Sequence, residues 1–127
     1  MFKRIDHVEL VPSNLEKSLR FYTEILGFKV QTRRKVDNPP LEELVFIELG
    51  GSVIEMFGVR ETTPASQEPW RIGCRKFALA VEDMEKTIEH LKSHGVELSQ
   101  RLVVTDTMKR TEIKDPDGLS IELIERL

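Results

Sequence analysis

Apolar residues follow two rhythms along the chain, alternate positions in some stretches and every third or fourth in others, and the rhythms recur in the same order twice. Alternation over residues 5–11 predicts a short strand. A helical stripe of Leu15, Leu19, Tyr22 and Leu26 follows, with Ser13 or Asn14 as its N-cap and Glu16 placed for a capping box with Ser13. Gly27 supplies a left-handed stop. Three further strands are expected at about 28–36, 44–49 and 52–57. The second half repeats this plan. A strand over about 76–81 leads to a helix capped by Asp83, striped by Met84, Ile88 and Leu91 and stopped by Gly95. Strands at about 96–104, 111–114 and 119–124 complete it.

The repetition is visible in the residues themselves. A shift of 69 lays Leu15-Glu16-Lys17-Ser18-Leu19 on Met84-Glu85-Lys86-Thr87-Ile88, and Val8 and Leu10 on Phe77 and Leu79. A shift of 67 lays Gly51-Ser52-Val53-Ile54-Glu55-Met56 on Gly118-Leu119-Ser120-Ile121-Glu122-Leu123. Two residues lost in an intervening loop would account for the changed offset. Gly50-Gly51 and Asp117-Gly118 suit hairpin turns, and Asn38-Pro39-Pro40 breaks the first half between its second and third strands. The expected fold is therefore α+β, with two repeated βαβββ units forming curved mixed sheets around a shared pocket. We expect one domain over 1–127, with units at about 5–58 and 74–125 and a connector at 58–73.

Composition narrows the function classes. The 127 residues are 39% hydrophobic and 32% charged with a net charge of −3, which suits a globular protein and offers no basic field for nucleic acid. No apolar run approaches a membrane span, and Met1-Phe2-Lys3-Arg4-Ile5-Asp6 meets charge too early for a signal peptide. Cys74 is the only cysteine, so an intrachain disulfide is excluded and a cytoplasmic location is expected. We read Cys74 as a small buried thiol, Arg33-Arg34-Lys35 as a solvated basic run, and Trp70 as either a lid or a packing residue.

Alternation also places candidate chemistry. With Val8 and Leu10 on the helix side of their strand, His7, Glu9 and Val11 point away; Ile54 and Met56 bracket Glu55 in the same manner. In the second unit Phe77 and Leu79 leave Lys76, Ala78 and Ala80 on the open face, and Ile121 and Leu123 bracket Glu122. Four polar residues, His7, Glu55, Lys76 and Glu122, thus occupy equivalent positions, and they converge if the sheets curl around one pocket.

His7, Glu55 and the segment Asp115-Pro116-Asp117-Gly118-Leu119-Ser120-Ile121-Glu122-Leu123 resemble the metal-ligand pattern of lactoylglutathione lyase (glyoxalase I). The segment from Asn14 to Tyr22 before Leu26-Gly27-Phe28 resembles that family's first helix. The chain is thereby identified as a member of the vicinal-oxygen-chelate (glyoxalase/bleomycin-resistance/dioxygenase) superfamily. The resemblance implies a ligand order His, Glu, His, Glu, in which Lys76 occupies the third position. A lysine protonated at neutral pH is a poor ligand. Val11 and Val59 stand about where glutathione-using members place polar contacts.

Two functions follow from the resemblance. In one, His7, Glu55 and Glu122 hold a divalent transition metal (nickel, zinc, manganese, iron or cobalt), and Glu55 or Glu122 moves a proton in lyase or isomerase chemistry on a small carbonyl or hydroxy compound. In the other, no metal binds, Lys76 neutralises the glutamates, and the protein binds small molecules as the drug-sequestering members do. Both imply a small-molecule ligand and a homodimer, without nucleic acid or membrane.

Overall fold

In the computed structural model, which describes residues 1–127, the chain divides into two compact units, Met1–Pro64 and Ala65–Leu127. The first contains β1 (Val8–Leu10), α1 (Leu15–Arg20), β2 (Lys29–Asn38), β3 (Leu41–Leu49) and β4 (Ser52–Val59). The second contains β5 (Phe77–Ala80), α2 (Met84–Ser93), β6 (Gln100–Val104), β7 (Met108–Lys114) and β8 (Ser120–Arg126). The strand orders are β1-β4-β3-β2 and β5-β8-β7-β6, with only the first pair of each sheet parallel. The α+β fold of two repeated βαβββ units is thus observed. No helix is long and apolar enough to cross a membrane.

Both helices start as the sequence implies. Asn14 and Asp83 each accept a hydrogen bond from the backbone N–H three residues on, at 3.0 Å, which satisfies a donor the helix leaves unpaired. Asn14 is the cap rather than Ser13. The third helical position is therefore Lys17 rather than Glu16.

α1 ends at Arg20 and continues as a π-helical turn over Phe21–Ile25 before Gly27 at φ +88°. α2 has no such turn before Gly95 at φ +74°. Cap to stop is one residue longer in the first helix, Asn14 to Gly27 against Asp83 to Gly95, and a π turn accommodates one extra residue without ending the helix. This corrects the idea that a single loop explains the changed repeat offset. A further difference lies in the last hairpins. Leu49 pairs with Ser52 across Gly50-Gly51, whereas Lys114 pairs with Ser120 across a five-residue loop pinned by Asp115.

Several strand limits also move. β1 pairs with β4 over three residues only, leaving His7 just ahead of it. Residues 96–99 are not strand, because the N–H of Val96 is tied back to Leu91 at the end of α2.

Each sheet packs one face on its helix. Val45, Ile47, Ile54 and Met56 are buried in the first unit, as are Leu19, Tyr22 and Phe28; Ile113, Ile121, Leu123, Met84 and Leu91 are buried in the second. Gly58 lets α1 approach β4, since a Cβ there would stand 2.9 Å from Leu15 Cδ2.

Candidate functional site

Strand register establishes the equivalence of the polar positions. Glu9 lies opposite Glu55 in the β1–β4 pair, and Ala78 lies opposite Glu122 in the β5–β8 pair. Across the neighbouring pairs, Phe46 faces Glu55 and Glu112 faces Glu122. Leu44 and Arg110 are matched in the same way, opposite Phe57 and Ile124. The open face of the first sheet therefore carries apolar rings and leucine beside its carboxylate. That of the second carries charge.

In the first unit His7 is the hub. Its Nε2 lies 3.2 Å from Glu55 Oε2 and 3.8 Å from Glu9 Oε1, and its ring meets Phe46 edge-on at 5.6 Å between centroids. Its Nδ1 donates to Asp6 Oδ2 at 2.9 Å. A carboxylate can only accept, so this bond puts the proton on Nδ1 in the neutral ring and leaves the Nε2 lone pair directed at the glutamates. The Asp6 hydrogen bond raises the pKa of His7 above its ordinary value; burial opposes this, and the charges of Glu55, Asp6 and Glu9 reinforce it. Glu55 is 7% exposed although it lies on the open face. The ligand atoms of His7, Glu9 and Glu55 all lie within 4.8 Å of one another. One imidazole and two carboxylates, with a third carboxylate, that of Asp6, holding the far ring nitrogen, is a donor set that fits a divalent transition metal.

In the second unit the hub is Lys76. Its ammonium donates to Glu112 Oε2 at 2.7 Å and lies 3.2 Å from Glu122 Oε2, while Arg110 Nη1 reaches 4.0 Å from the same Glu122 oxygen. All three side chains of the Lys76–Glu112–Glu122 group are largely buried. The bond to Glu112 is the main cause of a raised Lys76 pKa, against burial and with help from Glu122. Burial alone would raise the carboxyl of Glu112. It is outweighed by hydrogen bonds from Lys76 and Ser120 and by the charges of Lys76 and Lys114, so the net shift is downward.

The profile of the Glyoxalase/Bleomycin resistance protein/Dioxygenase superfamily matches residues 4–123. The chain belongs to this superfamily. It is 32% identical over 127 residues to YaeR of Escherichia coli (strain K12), covering 98% of this chain and 97% of that protein. It is 32% identical over 131 residues to a "Probable lactoylglutathione lyase" of Vibrio parahaemolyticus, covering 96% and 90%. Among solved structures, a glyoxalase family protein from Enterococcus faecalis superposes with a TM-score of 0.84 at 34% identity, covering 98% of each chain.

Seen as a glyoxalase-superfamily chain, the structure groups His7 with Glu55 in one unit and Lys76 with Glu122 in the other. Three partners escaped the sequence reading. Asp6 shares the parity of Val8 and Leu10, so alternation assigned it to the helix side. Glu9 was on the predicted open face but has Ala78 as its counterpart, so the repeat passed over it. Glu112 matches Phe46, and only strand register reveals the pairing.

Two minor expectations are corrected. Cys74 is exposed, not buried, because it lies in the irregular segment ahead of β5. Arg33 is no free member of a solvated run; it binds Glu43 on the neighbouring strand and Glu16 on α1. Trp70 is 81% exposed, with the Arg75 guanidinium 5.3 Å from its ring centroid.

Proposed function

We propose that this protein is a metal-dependent lyase or isomerase of glyoxalase type, acting on a small carbonyl or hydroxy compound. The carrying observation is the oriented imidazole of His7, held at Nδ1 by Asp6 and presenting Nε2 to Glu55 and Glu9. In this reading His7, Glu55 and Glu9 hold the ion. When bound, a divalent cation supplies Lewis-acid polarisation of two neighbouring substrate oxygens. Glu55 and Glu122 are the carboxylates proposed to move a proton beside the carbonyl. Leu44, Phe46 and Phe57 give the first-unit face an apolar lining that disfavours water. Glu122 was expected as a ligand as well; in its own unit it is engaged by Lys76 and Arg110, cations that compete with an ion for its oxygens.

The relatives named as lactoylglutathione lyases support the reaction class. A homodimer and a cytoplasmic location belong to the same proposal. β1 and β5 each leave one strand edge without a partner in their sheets, which a second copy could cover.

The test is elemental analysis of protein made without a histidine tag, after exposure to nickel, zinc, manganese, iron or cobalt. One ion per chain, lost in His7→Ala, supports the proposal. The His90–His94 pair, with ring centroids 4.5 Å apart, is a second place where an ion can collect, so His90→Ala serves as the control. Absence of bound metal in the wild type favours the second reading, a metal-free small-molecule binder. Lys76 supports that reading, because a cation already sits against the two second-unit carboxylates.

A further inference from the structure

The open face of the second unit holds a cleft of about 270 Å³ whose walls include Arg75, Lys76, Arg101, Arg110, Glu112 and Glu122. Its charges do not balance. Lys76 meets both glutamates, at 2.7 and 3.2 Å, so two carboxylates are already served by one cation. Three guanidinium groups remain. Arg110 only reaches the edge of Glu122 at 4.0 Å, and Arg75 lies over the Trp70 ring rather than beside a carboxylate. Arg101 is exposed, and no carboxylate oxygen lies within 4 Å of it. Four positive groups against two negative ones leave an excess of positive charge in a concave surface, where the field is focused.

We propose that this cleft is an oxyanion-binding site that takes the carboxylate or phosphate group of a small acidic molecule. Guanidinium groups suit that role because their planar fork meets two oxygens at once. The cleft, at about 270 Å³, accommodates an acid of a few carbon atoms. The glutamates add selectivity, since they repel an anion placed against Lys76 and direct it toward the arginines.

That the bound acid is a substrate rests on the enzymatic proposal above; the anion site itself does not, being built wholly from second-unit residues. Metal-free protein is therefore the right material. Calorimetric titration at constant ionic strength would use inorganic phosphate, malonate as a dicarboxylate, and malonamide as the uncharged control. Saturable binding of phosphate, malonate or both is expected, with none of malonamide. Phosphate alone would point to phosphate esters, and malonate alone to carboxylic acids. Arg101→Gln and Arg110→Gln should each weaken binding about tenfold or more, the loss of one charge-assisted hydrogen-bond pair. Arg110→Lys should fall between, keeping the charge and losing the fork. His7→Ala should bind anions as the wild type does, which separates this site from the metal proposal. Absence of binding by either anion at concentrations on the order of 10 mM, or equal binding by wild type and both glutamine variants, overturns the proposal.

Discussion

Lys76 donates to Glu112 across 2.7 Å, from the position that corresponds to His7, toward the position that corresponds to Phe46. The two exchanges belong together. A histidine whose Nε2 faces carboxylates can rest its edge on an aromatic ring; an ammonium in the same place gains most from a second carboxylate. The sheets keep one backbone plan and support different chemistry through paired substitutions.

Replacing Lys76 with methionine should destabilise the protein by about 1–3 kcal/mol, between the ~0–1 of a surface ion pair and the ~3–5 of breaking a buried one. Glu112 and Glu122 would be left facing each other without their shared cation. Adding Glu112→Gln should recover part of the loss by removing the repulsion. Urea unfolding of the two variants and the wild type measures both effects. Equal stability of Lys76→Met and wild type would show the pair to be energetically idle.

The same group sets a pH window. The Glu112 carboxyl is lowered in the folded state, so its contribution is complete above the unfolded glutamate value of about 4.3 and is lost as pH falls through the folded value. Lys76 is raised, so its contribution is complete below the unfolded lysine value of about 10.4 and is lost as pH rises through the folded one. Thermal unfolding across pH should show a plateau between these limits. In Lys76→Met both declines should be smaller, because the lysine is gone and Glu112 no longer has the cation that lowers its carboxyl.

Metal binding should weaken on acidification, because the proton and the ion compete for His7 and the folded protein holds that proton more tightly than a free histidine does. Changing Asp6 to asparagine removes the main cause of the raised value. Affinity should then fall about 10–100-fold near pH 8, as expected when a supporting carboxylate is lost, while the acid decline moves to lower pH. Metal titrations at several pH values compare the two proteins. An unchanged affinity in Asp6→Asn would remove Asp6 from the site.

Two kinds of glycine should respond differently to alanine. Gly27 and Gly95 have positive φ and open space where a Cβ would go, so only backbone strain is added, at about 1 kcal/mol each. Gly58 has no positive φ, but its new Cβ would meet Leu15 at 2.9 Å and the Glu43 Cβ at 3.2 Å. Leu15 can yield and the Glu43 Cβ cannot, so overpacking should cost about 1–3 kcal/mol and loosen α1. Hydrogen exchange along α1 distinguishes the two: faster exchange there is expected in Gly58→Ala and not in Gly95→Ala.

Much of this organisation is legible in the residues. The alternation of Ile54, Glu55 and Met56 gives both the strand and the face of the glutamate, since only one face of such a sheet meets the helix. The glycine stops and the Asp83 cap are equally local, and they fall where expected. What escaped depends on neighbours distant in sequence. The Lys76–Glu112 bond links residues 36 apart and follows from the register of β7 on β8, which a five-residue loop shifts relative to the first unit. The π turn is hidden as well, because Tyr22 and Leu26 keep helical spacing on either side of the extra residue.

Trp70 is the only tryptophan in the chain, and Arg75, a wall of the second-unit cleft, lies against it. The protein thus carries its own optical gauge. An anion that draws the guanidinium off the indole changes the polarity and charge next to the ring, and with them its emission. Ligand screening can accordingly proceed on the unlabelled wild-type protein by following fluorescence intensity and wavelength, with Trp70→Phe as the variant that loses the signal and keeps all three guanidinium groups.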